Sequence, residues 1–183
     1  RAQTKEVTLH LLPKGRPALI PKKTGFSGGA SPVEFDAAIP AFHGLYGEDG
    51  QIQGLFEMAG IPYVGARTLA SSVFMDKQAT KHVCRSLGIP VLPCVILHRP
   101  EQGYLIPEED VRGLLAGMDF PVIVKPCHLG SSIGVARAAN AGEVSASLPA
   151  IFQYDTSAVV EPCVESLVEY NVSVSRAFGG LKT

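Results

Sequence analysis

Two stretches of the chain concentrate residue types that handle small charged molecules. Residues 43–54 read His-Gly-Leu-Tyr-Gly-Glu-Asp-Gly-Gln-Ile-Gln-Gly, so an imidazole, two adjacent carboxylates and four glycines share one short segment. Glycine permits positive φ and close approach of the backbone to a ligand, while His43, Glu48 and Asp49 can hydrogen-bond a zwitterionic or carboxylate substrate. Residues 125–134, Lys-Pro-Cys-His-Leu-Gly-Ser-Ser-Ile-Gly, add a cation, the hydroxyls of Ser131 and Ser132 and two glycines. These are the groups needed around a polyphosphate. The segment is no Walker A motif, because G-K-[ST] is missing, and taken alone it also fits a β-hairpin with a small-residue turn. Lys77 and Lys81, one turn apart, would each read alone as solvated helix residues, and a lone strand-end histidine such as His43 is usually structural. Read together, the two stretches point to a nucleotide-using enzyme.

Several elements must position these residues. Val7–Leu12 and Pro17–Ile20 read as strands joined by a turn at Pro13–Arg16. Ala37–Phe42 is a nearly continuous apolar run, as expected of a strand buried in a parallel sheet, and it would deliver His43 at its carboxyl end, where ligands bind. Ile52, Leu55, Phe56 and Ala59 follow helical spacing, with Asp49 placed to cap that helix, Gly60 ending it and a short strand at Ile61–Val64. Asp76 can cap a helix with Ala79, Val83 and Leu87 on its core side and Lys77 and Lys81 exposed. A strand at Val91–Leu97, a helix from Pro107 to Ala116 and the strand Val122–Val124 leading into Lys125 follow. Asn140 and Glu143 form a capping pair for a helix that Pro149 should bend or shorten. Strands at Ala158–Glu161 and Tyr170–Ser175 come last. The expected fold class is α/β plus α+β: an N-terminal parallel α/β domain over 1–67, then an α+β unit over 68–183 in which the Lys125 and Glu161 strands share one antiparallel sheet.

With 183 residues, 46% hydrophobic and 18% charged, the chain has an ordinary globular composition. A net charge of −1 and no basic run give no field for a nucleic-acid backbone. No apolar stretch has the length of a membrane span, and the start lacks the apolar core of a signal peptide, so a cytoplasmic protein is expected. Cys84, Cys94, Cys127 and Cys163 have no metal-ligand spacing and read as reduced thiols, with Cys127 the one that could be exposed in the glycine loop.

The motif H-G-x-x-G-E-D-G-x-x-Q-G, followed by Ile61–Gly65, Met75-Asp76-Lys77, Lys125-Pro126 and Gly130-Ser131-Ser132-Ile133-Gly134, resembles the D-alanine:D-alanine ligases of the ATP-grasp superfamily. Several motifs in series are more specific than one glycine loop. The resemblance implies an ATP-dependent carboxylate-amine ligase for peptidoglycan synthesis, joining two D-alanines through an acyl phosphate. It implies ATP and Mg2+ as cofactors and a homodimer as assembly. D-serine or D-lactate as second substrate, or a non-catalytic nucleotide-binding fragment, are the alternatives.

The resemblance also assigns residues. Lys77 and Lys125 would contact phosphate oxygens, the loop with Ser131 and Ser132 would cover the triphosphate, and Ser131 would sit beside the first D-alanine. Glu161 would accept from the adenine amino group, with Cys163 and Val164 lining that slot. Glu169 would hold the ribose hydroxyls, with Glu165 as a competitor. His43 and Glu48 would lie near the first amino acid, Glu48 supporting the imidazole. Gly28–Glu34 imitates the family's G-G-x-S-x-E turn at the wrong place and spacing, which leaves Glu34 unassigned. The family's magnesium ligands belong to a later segment, so the chain is expected to be an incomplete piece of a ligase with no metal ligands of its own.

Overall fold

The computed structural model describes residues 6–11, 16–22, 31–172 and 174. The proposed turn at Pro13–Arg16 and the glycines Gly28 and Gly29 fall largely or wholly outside them. Strands β1 (Val7–His10), β2 (Ala18–Pro21) and β3 (Val33–Glu34) form an antiparallel sheet in the order β1-β2-β3. The mixed α/β character of this half agrees with the sequence, but its pairing direction does not. Ala37–Phe42 is not a buried strand: Ile39 is 80% and Phe42 54% exposed, and one parallel bridge joins Ala38 to Tyr63. Its two hydrogen bonds, Ala38 N to Pro62 O and Val64 N to Ala38 O, are flanked by Pro40 and Pro62, which have no N–H to extend the ladder.

Helix α1 (Gln51–Met58) buries Phe56, whose ring packs 5.6 Å from that of Tyr63. Helix α2 (Thr68–Met75), which the sequence pattern did not reveal, runs straight into α3 (Lys77–Ser86). Asp76 separates them with extended backbone, and its Oδ1 accepts from the Gln78 and Ala79 amides at 2.8 and 3.0 Å. The expected core stripe of α3 is not buried, since Leu87 is 69% exposed.

The second half is a four-stranded antiparallel sheet, order β4-β7-β5-β6, from β4 (Val95–His98), β5 (Val122–Pro126), β6 (Ala136–Ala138) and β7 (Ser157–Pro162). Helices α4 (Glu108–Leu114) and α5 (Ala141–Phe152) cover one face. The core lies there: Leu97, Val111, Val122, Val124, Val144, Leu148, Phe152 and Val160 are buried together. Alternation along β5 sends Val122 and Val124 into this core and Ile123 and Lys125 to the opposite face. The register sets Ile123 opposite Glu161 and Lys125 opposite Val159, so the two strands share one antiparallel sheet as expected. Asn140 caps α5 through Glu143 N at 2.9 Å, and Glu143 returns to Ala139 N at 2.8 Å. Pro149 does not end α5, which continues to Phe152. Among the described residues of 170–175 there is no strand, for nothing pairs with them; Ser173 and Ser175 lie outside the description.

Candidate nucleotide site

The uncovered face of the second sheet, the start of α3 and the β5–β6 loop enclose a cavity of about 670 Å³. Lys125 and Glu161 enter it from β5 and β7, and Lys77 from the first turn of α3. Ser131 and Ser132 reach it from the loop, while Cys163, Val164 and Glu169 line it beyond the end of β7. Strand pairing and a helix start thus bring together eight residues spread over most of the second half. The loop is the turn of a true hairpin, since β5 pairs with β6 from Val122–Ala138 to Val124–Ala136. Ser131 and Ser132 adopt φ of 53° and 57°, the left-handed region that side chains other than glycine rarely occupy. Glu165 is not on this cavity; it pairs with Arg137 at 3.4 Å on the surface.

A cluster of charge sits at the floor of an otherwise largely apolar cavity. Glu161, only 7% exposed, holds Lys125 on Oε1 and Lys81 on Oε2, the latter at 2.9 Å. Burial pushes the Glu161 carboxyl up, but the two lysine partners outweigh it and hold the group below the ordinary glutamate value. Lys81 is therefore not a solvated residue: its side chain is 12% exposed, and its ammonium also donates to Leu92 O at 3.0 Å. Lys77 donates to Leu129 O at 2.6 Å, which ties α3 to the base of the loop, and its own amide donates to Cys127 O at 3.0 Å. Burial, then the nearby Lys125 ammonium, draw Lys77 below the usual lysine value. Lys125 and Lys81 share the one Glu161 carboxylate, so that trio carries one uncompensated positive charge, and a bound anion would relieve it.

Behind the loop lies a network the sequence did not expose. Asp155 accepts from His128 N and from His128 Nδ1, both at 2.7 Å, while His128 Nε2 lies 3.5 Å from Asp76 Oδ2. Cys127, which the sequence left open to exposure, is fully buried, and burial pushes its thiol up.

A second cavity of about 470 Å³ adjoins the first and shares Phe74, Met75 and Gly130 with it. Glu48 lines it; His43 is exposed and does not. Glu48 does not support the imidazole, because its carboxylate accepts from Gly44 N at 2.6 Å and so closes its own turn. Asp49 accepts from Tyr46 N and Gln51 N at 2.7 and 3.1 Å, organising the turn before α1, while Gly50 is the N-cap. At Gly50, φ is 94° and a Cβ would overlap Ser72 Oγ, so this glycine serves close packing against α2. Gln53 is buried, with its side-chain amide donating to Gly47 O at 2.9 Å.

Family models described as D-ala D-ala ligase N-terminus and D-ala D-ala ligase C-terminus match residues 3–66 and 83–178. The chain belongs to the D-alanine–D-alanine ligase family. A D-alanine–D-alanine ligase of Treponema denticola is 36% identical over 148 residues, 79% of this chain and 39% of that protein. One from Mycobacterium ulcerans is 43% identical over 129 residues, 70% of this chain and 33% of that protein. The solved D-alanine–D-alanine ligase of Coxiella burnetii superposes with a TM-score of 0.69 at 31% identity, over 87% of this chain and 42% of that one. The VanG D-Ala:D-Ser ligase of Enterococcus faecalis gives 0.64 at 33% identity, over 74% of this chain and 38% of that one. The chain thus spans well under half the length of these family members. Its fold is the family's α/β part followed by part of an ATP-grasp domain. Among the described residues no helix is long and apolar enough to cross a membrane.

Proposed function

We propose that this chain carries the nucleotide floor and the first amino-acid side of an ATP-dependent D-alanine:D-alanine ligase for peptidoglycan synthesis. The observation that carries the reading is the convergence of Lys77, Lys125 and the glycine loop on one cavity that also presents Glu161 and Glu169. Lys125 and Lys77 offset phosphate charge, the hairpin loop lies over the phosphates and excludes water, and Ser131 meets the first substrate at the loop's tip. Glu161 receives the adenine amino group beside Cys163 and Val164, and Glu169 the ribose. Glu48, on the adjoining cavity, faces the first D-alanine, and His43 joins it on a rearranged turn. ATP supplies the phosphoryl group that converts the first carboxylate to an acyl phosphate, which the second amine displaces. The division is placed at 67/68, at the start of α2, whose Phe74 and Met75 line both cavities.

Mg2+ is the companion ion of this reading. Among the described residues no group of three or more His, Cys, Asp or Glu could hold a metal, so no step is assigned to ion ligands of this chain. D-alanine and ATP are the small-molecule partners, a homodimer the assembly and the cytoplasm the compartment. Titration calorimetry of ATP against the chain and against Lys125→Met tests the reading. The variant should bind about tenfold more weakly, since a charged hydrogen bond contributes on the order of 1.5 kcal/mol or more. Equal affinity would refute it.

A further inference from the structure

Lys81 lies behind the cavity wall. Its neighbour on the carboxylate, Lys125, lines the cavity and is the more exposed of the two lysines, 24% against 12%. Each oxygen of Glu161 holds one of them, and Lys81 is further fixed by Leu92 O. Accepting the nucleotide reading above, Lys125 has to turn from Glu161 toward phosphate oxygens. The oxygen that Lys125 leaves then has only the neutral adenine amino group, which offsets less of a buried carboxylate's charge than an ammonium does.

We propose that Lys81 is a positioning residue for nucleotide binding: it stays on Glu161 when Lys125 moves to the phosphates, and so frees Lys125 for the ligand while holding the carboxylate in place. Without Lys81 the phosphates compete with a buried carboxylate for the same ammonium. Lys77 makes no ion pair with Glu161; its ammonium is held by Leu129 O at 2.6 Å.

The test is a cycle of four proteins, wild type, Lys81→Met, Glu161→Gln and Lys81→Met/Glu161→Gln, with ATP affinity measured by calorimetry and folding checked by circular dichroism. Lys81→Met should bind ATP about tenfold more weakly, and Lys81→Arg should restore most of the affinity. Glutamine removes the charge that claims Lys125 but keeps an acceptor oxygen. The double variant should therefore bind ATP better than Lys81→Met alone, within roughly threefold of Glu161→Gln. Damage to packing would not be repaired by a second substitution in the same cluster. Wild-type affinity in folded Lys81→Met, or no recovery in the double variant, overturns the proposal. If Lys81→Met does not fold, Lys81→Gln, alone and combined with Glu161→Gln, decides on the same criterion. Failure of the wild type to bind ATP overturns the nucleotide reading itself and this role with it.

Discussion

Among the described residues Asp155 is the most heavily used carboxylate, and its removal is a sharp test of how the site is held. The side chain is 2% exposed and accepts four hydrogen bonds: from His128 N and Nδ1, from Thr156 N at 2.7 Å and from Ser157 N at 3.2 Å. Asp155→Ala strands three backbone donors in a site with little water. An orphaned buried donor costs about 1–3 kcal/mol, so with partial relaxation the sum is on the order of 3–5 kcal/mol, a large share of a domain's usual stability. Urea unfolding followed by circular dichroism should show that loss at pH 7. The same group predicts a pH dependence. Burial pushes Asp155 up, yet the His128 and Ser157 hydrogen bonds prevail and its pKa is lowered. The folded state therefore binds this proton less readily than the unfolded chain. The stabilisation is fully present above the unfolded value of about 4 and is lost as pH falls below it through the folded value. Asp155→Asn should flatten that acid limb. A destabilisation below about 1 kcal/mol for Asp155→Ala, or an unchanged acid limb in Asp155→Asn, would refute the reasoning.

Two further outcomes can be measured on the same protein. Phe152, fully buried between α5 and the sheet, should cost roughly 3–5 kcal/mol when replaced by alanine, read as a lowered urea midpoint; a loss under about 1 kcal/mol would contradict the core described. Cys127 is buried whereas Cys84, Cys94 and Cys163 are half-buried, so a thiol reagent should label those three first and Cys127 only on unfolding. Labelling of all four at one rate would contradict its burial.

Local rules carried well from sequence to structure. The Asp76 cap and the Asn140–Glu143 box depend on residues two or three positions apart, and both form as read. The Lys125 and Glu161 strands were legible because each is a short apolar run ending in one charged residue, which belongs where a sheet meets a cleft. The apolar run Ala37–Phe42 misled because periodicity cannot report a partner, and prolines on both sides of its bridge restrict the pairing. Lys81 looked solvated for the complementary reason: its helix is polar, and the carboxylate that buries it comes from a strand far along the chain. His128 and Asp155 share no spacing, so their contact exists only once β7 is in place.

The strand order has a consequence for how the chain is made. β7 is the last of the four strands to emerge in synthesis, yet it sits between β4 and β5. The β5–β6 hairpin can close by itself, but among the described residues β4 pairs with β7 alone and waits for it. One late segment therefore joins the described strands into one sheet, and that segment carries Glu161. Until it docks, Lys81 and Lys125 have no counter-charge between them. The step that gives the sheet its centre also sets the electrostatics of the site, so a nascent chain cannot present the finished cleft on a half-built scaffold.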